Sequence, residues 1–317
     1  MRKINVGFLF KFFCAFFIFV YSLAVGRFAT EGDQVHYREI YAVIGLLPIA
    51  DAFVFYLLNL DSKEVVHFLL SWIFATVGVE KDLFIAVSNA FLAYFSAAVF
   101  IKFKASKIIA FTIIASSFYF NVLYFSAERL KYGFIFFTWS ILYLNNSKGL
   151  YSLLLMSVMS HVQMLISYMS IAFASIMSML ERALKRGFLS KSLLSFLIIG
   201  LIILIAVGPH VVNKLEAYKS DIQLFDLLKI IAIMCLTLYY AHKKRQAFYV
   251  FIPLVIVVAI IGSDRVMMLG YFVFLYYGIQ INRGINLGIL ITTAYFSFKS
   301  LDYLYNLVNF GNGFYSG

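Results

Sequence analysis

Proline and cysteine are nearly missing from this chain. Three prolines and two cysteines stand among 317 residues. So few prolines leave long helices uninterrupted. Cys14 and Cys235 both fall inside apolar runs, which supplies neither a disulfide framework nor metal-ligand spacing. Charge is scarce too, at 13% of residues against about 25% in soluble domains. Acids are the scarcer sign: 15 Asp and Glu face 26 Lys and Arg, a net charge of +11. That surplus follows the gaps between apolar runs rather than forming one basic face, which argues against a nucleic-acid partner. A glycine-rich phosphate loop, a Gly-x-Ser-x-Gly elbow and a His-Glu-x-x-His helix are also absent.

What is present is apolar. Hydrophobic residues make up 63% of the chain and aromatics 19%, with a mean hydropathy of +0.92. Apolar runs of about 17–20 residues recur, the length a helix needs to cross a bilayer. The reading is an all-α, polytopic transmembrane helical bundle of about 11 spans, within a range of about 9–13. Residues 1–317 form a single integral membrane domain. Arg2 and Lys3 hold the start of the first helix, about residues 6–25, in the cytoplasm; the run lacks a small-residue cleavage site and is read as uncleaved.

The most polar stretch, residues 27–82, follows it. Pro48 and Asp51 interrupt the apolar segment 41–58, and the segment 65–79 is short, so both are poor spans. Region 27–82 is therefore expected as an outward-facing periplasmic or re-entrant cap. Downstream, apolar runs alternate with charged turns. The turns assigned to the cytoplasm collect 14 Lys and Arg with one acid, Glu181, whereas the outward ones collect 9 Lys and Arg with 13 acids. The Lys/Arg bias orients the chain, and the pooled acids place its polar chemistry on the other side. Asp226 and Lys229, three apart within one span, are expected to pair with each other.

The stretch 128–161 carries the strongest signal. Arg129 begins one span and His161 ends the next, with a cytoplasmic turn around Lys148 between them, so both are expected at the same membrane face. Ionisable groups near lipid cost several kcal/mol unless paired or wet, which makes them functional candidates. Arg129 reads either as an interfacial anchor or as a phosphate ligand, because a guanidinium offers a bidentate fork to phosphate oxygens. Lys131, two residues on, points elsewhere on a helix and reads as an anchor. His161 reads either as a hydrogen-bonded core residue or as a group that orients a sugar hydroxyl or shuttles a proton. It lies near the outer bend of residues 150–180, read as two short antiparallel spans. With no second His or Cys at ligand spacing, neither metal nor cofactor is expected.

Asp264 and Arg265 make either a solvated turn or a second phosphate-binding point. Asp33 and Glu64 are the outward carboxylates that suit a general base or hydroxyl ligand. Tyr37 and Tyr41, four apart, share a helix face that either stacks on a sugar or belongs to an interfacial tyrosine belt.

Taken in order along the chain, these pieces resemble the bacterial Wzy-type O-antigen and EpsG-like exopolysaccharide polymerases. The matching residues are Gly32-Asp33 with Tyr37 and Tyr41, Lys63-Glu64, Glu128-Arg129, His161, Arg265 followed by Gly270-Tyr271-Phe272, and Asn312-Gly313-Phe314-Tyr315. Where that family carries Glu-Pro, this chain has Glu64-Val65. The resemblance implies a glycosyltransferase of the bacterial inner membrane with its active site facing the periplasm. It would transfer a growing glycan from undecaprenyl diphosphate to a lipid-linked repeat unit. Its partners would be undecaprenyl-diphosphate-linked oligosaccharides, the lipid bilayer and a chain-length regulator protein. On that pattern Arg129 and Arg265 grip the two diphosphates, Glu64 or Asp33 activates the acceptor hydroxyl, and His161 positions sugar. The competing classes are a transporter or flippase of lipid-linked oligosaccharide and an O-antigen ligase or acyltransferase.

Overall fold

Helices form where the apolar runs persist. The computed structural model describes residues 6–61, 63–144, 147–186, 224–262 and 266–315. Among them are 14 α-helices and no strand. They are α1 (Val6–Gly26), α2 (Asp33–Ile44), α3 (Ile49–Leu60), α4 (Val65–Thr76), α5 (Lys81–Lys102), α6 (Lys107–Ser116), α7 (Phe118–Phe125), α8 (Glu128–Leu142), α9 (Ser147–Ser160), α10 (Met164–Arg186), α11 (Leu224–Tyr240), α12 (Lys244–Ile261), α13 (Val266–Gly278) and α14 (Leu287–Phe310). The chain divides into two units, one of Met1–Met164 with Asn282–Gly317 and one of Leu165–Ile281.

In the first unit α5 is central. Its 22 residues reach about 33 Å at 1.5 Å each, enough for the roughly 30 Å hydrocarbon core of a bilayer. Of its apolar window 61% is buried, against 17% for α1. Helix α1 packs along α5 and turns Phe8, Phe12, Phe13 and Phe16 outward, an apolar face compatible with lipid. Polar side chains stitch the bundle internally. Asn89 Nδ2 donates to Ser22 Oγ at 3.0 Å, Tyr21 Oη to Asn121 Oδ1 at 2.8 Å, and Asn121 Nδ2 to Ser300 Oγ at 2.8 Å. Hydrogen bonds of this kind tie helices together where apolar burial alone does not.

The segment after α1 forms three helices of 12 residues each. At about 18 Å apiece, none crosses a bilayer alone. They pack on one another around Ile40, Ile44, Ala52, Tyr56 and Phe68. Trp72 Nε1 closes the group by donating to the Leu47 carbonyl at 3.1 Å. Pro48 precedes the first residue of α3, and Asp61, in the left-handed conformation at φ 44°, ends it.

Helices α8 and α9 lie side by side because Gly133 has no side chain. A Cβ there would stand 2.6 Å from Met164 Cγ and 3.4 Å from the Ser157 carbonyl oxygen. Ser157 Oγ donates to the Gly133 carbonyl at 2.7 Å. A break at His161-Val162-Gln163 separates α9 from α10.

In the second unit α11 packs against α12 and α13. Asp226 and Lys229 bind each other at 2.9 Å, the pairing their spacing predicts. Among the described residues four helices are long and apolar enough to cross a membrane: α1, α5, α10 over Met164–Lys185, and α12. The bent pair α6–α7, kinked by 50°, makes a fifth if taken as one span. The chain is all-helical with several apolar helices compatible with a membrane. Reaching about 11 spans requires shorter helices to cross, and the expected span at 193–208 lies outside the described residues.

Candidate functional site

Two ionic clusters sit at the Lys81 end of α5. The outer one is built on Glu64, just before α4. Its Oε2 accepts from Arg129 NH1 at 2.8 Å, and its Oε1 is bonded to His161 Nδ1. Arg129 also donates through Nε to the Tyr37 hydroxyl at 2.8 Å, with its guanidinium 5.7 Å from the Tyr37 ring centroid. The side chains of Glu64, Arg129 and His161 keep 10%, 19% and 16% exposure, more than the 1% of Glu128.

The inner cluster is sealed. Glu128 side-chain exposure is 1%. Its carboxylate accepts from Lys81 Nζ at 2.6 Å, His67 Nε2 at 3.1 Å and Gln34 Nε2 at 3.4 Å. The Tyr56 hydroxyl donates to His67 Nδ1 at 2.9 Å, so the tautomer carrying its proton on Nε2 satisfies both ring nitrogens. Burial would raise the Glu128 carboxyl. Lys81 and His67 overcome that penalty and hold it well below the usual carboxylate range. Lys131 is fully buried and donates to Asn89 Oδ1 at 2.8 Å.

Helix geometry explains the separation. Glu128 and Arg129 are neighbours about 100° apart around α8, so one enters the sealed cluster and the other the open one. Glu64 and His67 are three apart at the start of α4 and share a face, which joins the clusters along one helix. Both acids also begin helices, where the backbone dipole favours negative charge.

Of the residues singled out from sequence, Tyr37, Glu64, Arg129 and His161 meet. Asp33 is exposed in the first turn of α2, close enough for its charge to act on the Tyr37 hydroxyl. That hydroxyl is pushed up chiefly by its own burial. Tyr37 and Tyr41 do share a face, but it turns inward. Both are buried, and Tyr41 Oη donates to the Val79 carbonyl at 2.9 Å. The face packs on Lys81 and is not open to stack on a sugar. Asp264 and Arg265 lie outside the described residues.

Lys131 is a correction: it is no interfacial anchor but a buried cation, because its face of α8 meets Asn89 of α5. His67 and Lys81 were missed. A histidine one turn after Glu64 in an apolar run is the signal that marks His67. Lys81, at the edge of a polar turn, has no comparable mark. Among the described residues no group of three His, Cys, Asp or Glu side chains has metal-binding geometry.

The arrangement can hold an anion and move a proton. Arg129 spends NH1 on Glu64 and Nε on Tyr37, and its fork retains further donors for phosphate oxygens. A carboxylate on His161 Nδ1 fixes the ring proton there, which makes Nε2 the basic atom. No family model matches the chain, and neither does any curated protein or solved structure.

Proposed function

We propose that this chain is a bacterial surface-polysaccharide polymerase, a glycosyltransferase of the inner membrane with its reacting centre facing the periplasm. The observation that carries the reading is the meeting of Glu64, Arg129 and His161 in one largely buried cluster, from positions 97 residues apart at the extremes. In this reading Arg129 binds the diphosphate of the undecaprenyl carrier that bears the growing glycan. Arg265 serves the second carrier diphosphate. The acceptor hydroxyl of the incoming repeat unit gives its proton to the Glu64–His161 pair, with His161 Nε2 as the receiving atom. The acceptor oxygen then bonds the anomeric carbon as the glycosyl–diphosphate bond breaks, and undecaprenyl diphosphate leaves with its charge held by arginine. The leaving group is a good one, so positioning and charge stabilisation carry much of the rate. About 11 spans and a chain-length regulator partner belong to the same proposal.

The test is chain lengthening by purified protein on a synthetic carrier-linked repeat unit. Arg129→Ala and Glu64→Gln should each lower product by roughly a hundredfold or more, the scale of losing one preorganised charged contact. Full-length products from either variant would overturn the assignment. The kink between α6 and α7 at Ser117 favours a second reading, a transporter of lipid-linked oligosaccharide, since broken helices are common in transporters. Movement of a labelled lipid-linked oligosaccharide across proteoliposomes without polymer growth would select it.

A further inference from the structure

The second unit holds a cavity of about 810 Å³ whose wall is basic. Arg182 and Ser178 of α10 line one side, and the turn from α11 into α12 supplies His242, Lys243, Lys244 and Arg245. Among the described residues one carboxylate stands nearby: Glu181 accepts from Tyr249 Oη and lies 3.9 Å from Arg245 NH1. Among the described residues that single acid offsets only part of the positive charge of Arg182, Lys243, Lys244 and Arg245, which suits a phosphate-bearing anion.

The level of the cavity identifies the source of that phosphate. It lies along the C-terminal half of α10, from Ser175 to Arg182, beside the start of α12. The apolar windows of these helices have mean hydropathies of 1.5 and 1.8, and only 17% and 28% of each is buried within the protein. Next to the cavity Leu184 and Phe248 are 76% and 43% exposed. Cations at the rim with bare hydrocarbon immediately beyond is the profile of a headgroup site, with acyl chains lying on the helix faces.

We propose that this cavity binds the headgroup of an anionic phospholipid, on the face that the Lys/Arg bias assigns to the cytoplasm. The site is independent of the Glu64 cluster, so this proposal survives if the polymerase reading fails.

Purified full-length protein in nanodiscs of phosphatidylcholine, with or without phosphatidylglycerol, tests it by native mass spectrometry of retained lipid. The expected result is selective retention of phosphatidylglycerol. Lys243→Gln/Lys244→Gln should cut the retained fraction roughly tenfold or more, given the attraction each cation adds near a charged surface. Arg182→Gln, on the other helix, should also reduce it. Lys104→Gln/Lys107→Gln, which removes the same charge elsewhere, should leave it unchanged. Circular dichroism melts of each variant separate loss of binding from loss of fold. Equal loss in both double variants would reduce the effect to surface attraction and overturn the site. Binding of inorganic phosphate without phosphatidylglycerol retention would overturn the lipid assignment.

Discussion

Glu128 and Arg129 are adjacent in the chain and serve different chemistry. Glu128 neutralises Lys81 inside the deeply buried cluster, whereas Arg129 stands beside Glu64 with its side chain 19% exposed. Removing the Glu128 charge leaves buried cations without an anion, a change that costs about 3–5 kcal/mol. Glu128→Gln should therefore lower the melting temperature at pH 7. The pH dependence has a defined sign. The folded carboxyl titrates below its ordinary value of 4.5, so its stabilisation is full above that value and is lost as pH falls through the folded one. The wild-type melting temperature should drop below about pH 4.5, and the Glu128→Gln variant should show a flatter decline over that window. Tyr37→Phe removes the acceptor of Arg129 Nε. Leaving that donor unpaired costs about 1–3 kcal/mol, and the variant should melt earlier and bind carrier substrate more weakly. An unchanged melt and affinity would show that the hydroxyl does not hold Arg129.

The elements position the cluster through close approach. His161 reaches Glu64 because α9 runs back along α8, and it does so because Gly133 lets Met164 and Ser157 come near. Gly133→Ala would place its methyl 2.6 Å from Cγ of the fully buried Met164, so the helix pair must shift and the variant should already melt earlier. Gly133→Val adds methyls toward the Ser157 carbonyl, an overpacking worth about 1–3 kcal/mol. It should also depress chain lengthening more than its melting shift explains, since it displaces the His161 turn. Equal activity at matched folded fraction would sink this account. That a helix ends near His161 was legible from the length of the apolar run. The burial of Lys131 was not, because the residue that receives it, Asn89, belongs to a helix distant in sequence.

At the largest scale, the two ends of α5 mark the reach of the first unit. Lys81 sits in the inner cluster and Lys102 at the far end, about 33 Å away along the helix axis. After replacement of Cys14 and Cys235, Lys63→Cys and Lys104→Cys, both exposed, should react with impermeant maleimide from opposite sides of the membrane. Position 63 should label from outside. Labelling of both from one side would overturn the orientation drawn from the Lys/Arg bias.

Composition and hydropathy are local properties, and they were enough to specify helices, apolar faces, a polar region of short segments after the first helix and the order of charged turns. They also drew attention to Arg129 and His161 as ionisable groups in expensive places, and to Glu64 as an outward carboxylate suited to a general base or hydroxyl ligand. The division into an open and a sealed cluster required packing. Helices α2, α4, α5, α8 and the turn after α9 must come together before one can know which side chains share a partner. Pairing between helices depends on neighbours brought from far along the chain, and no periodicity within one helix records it.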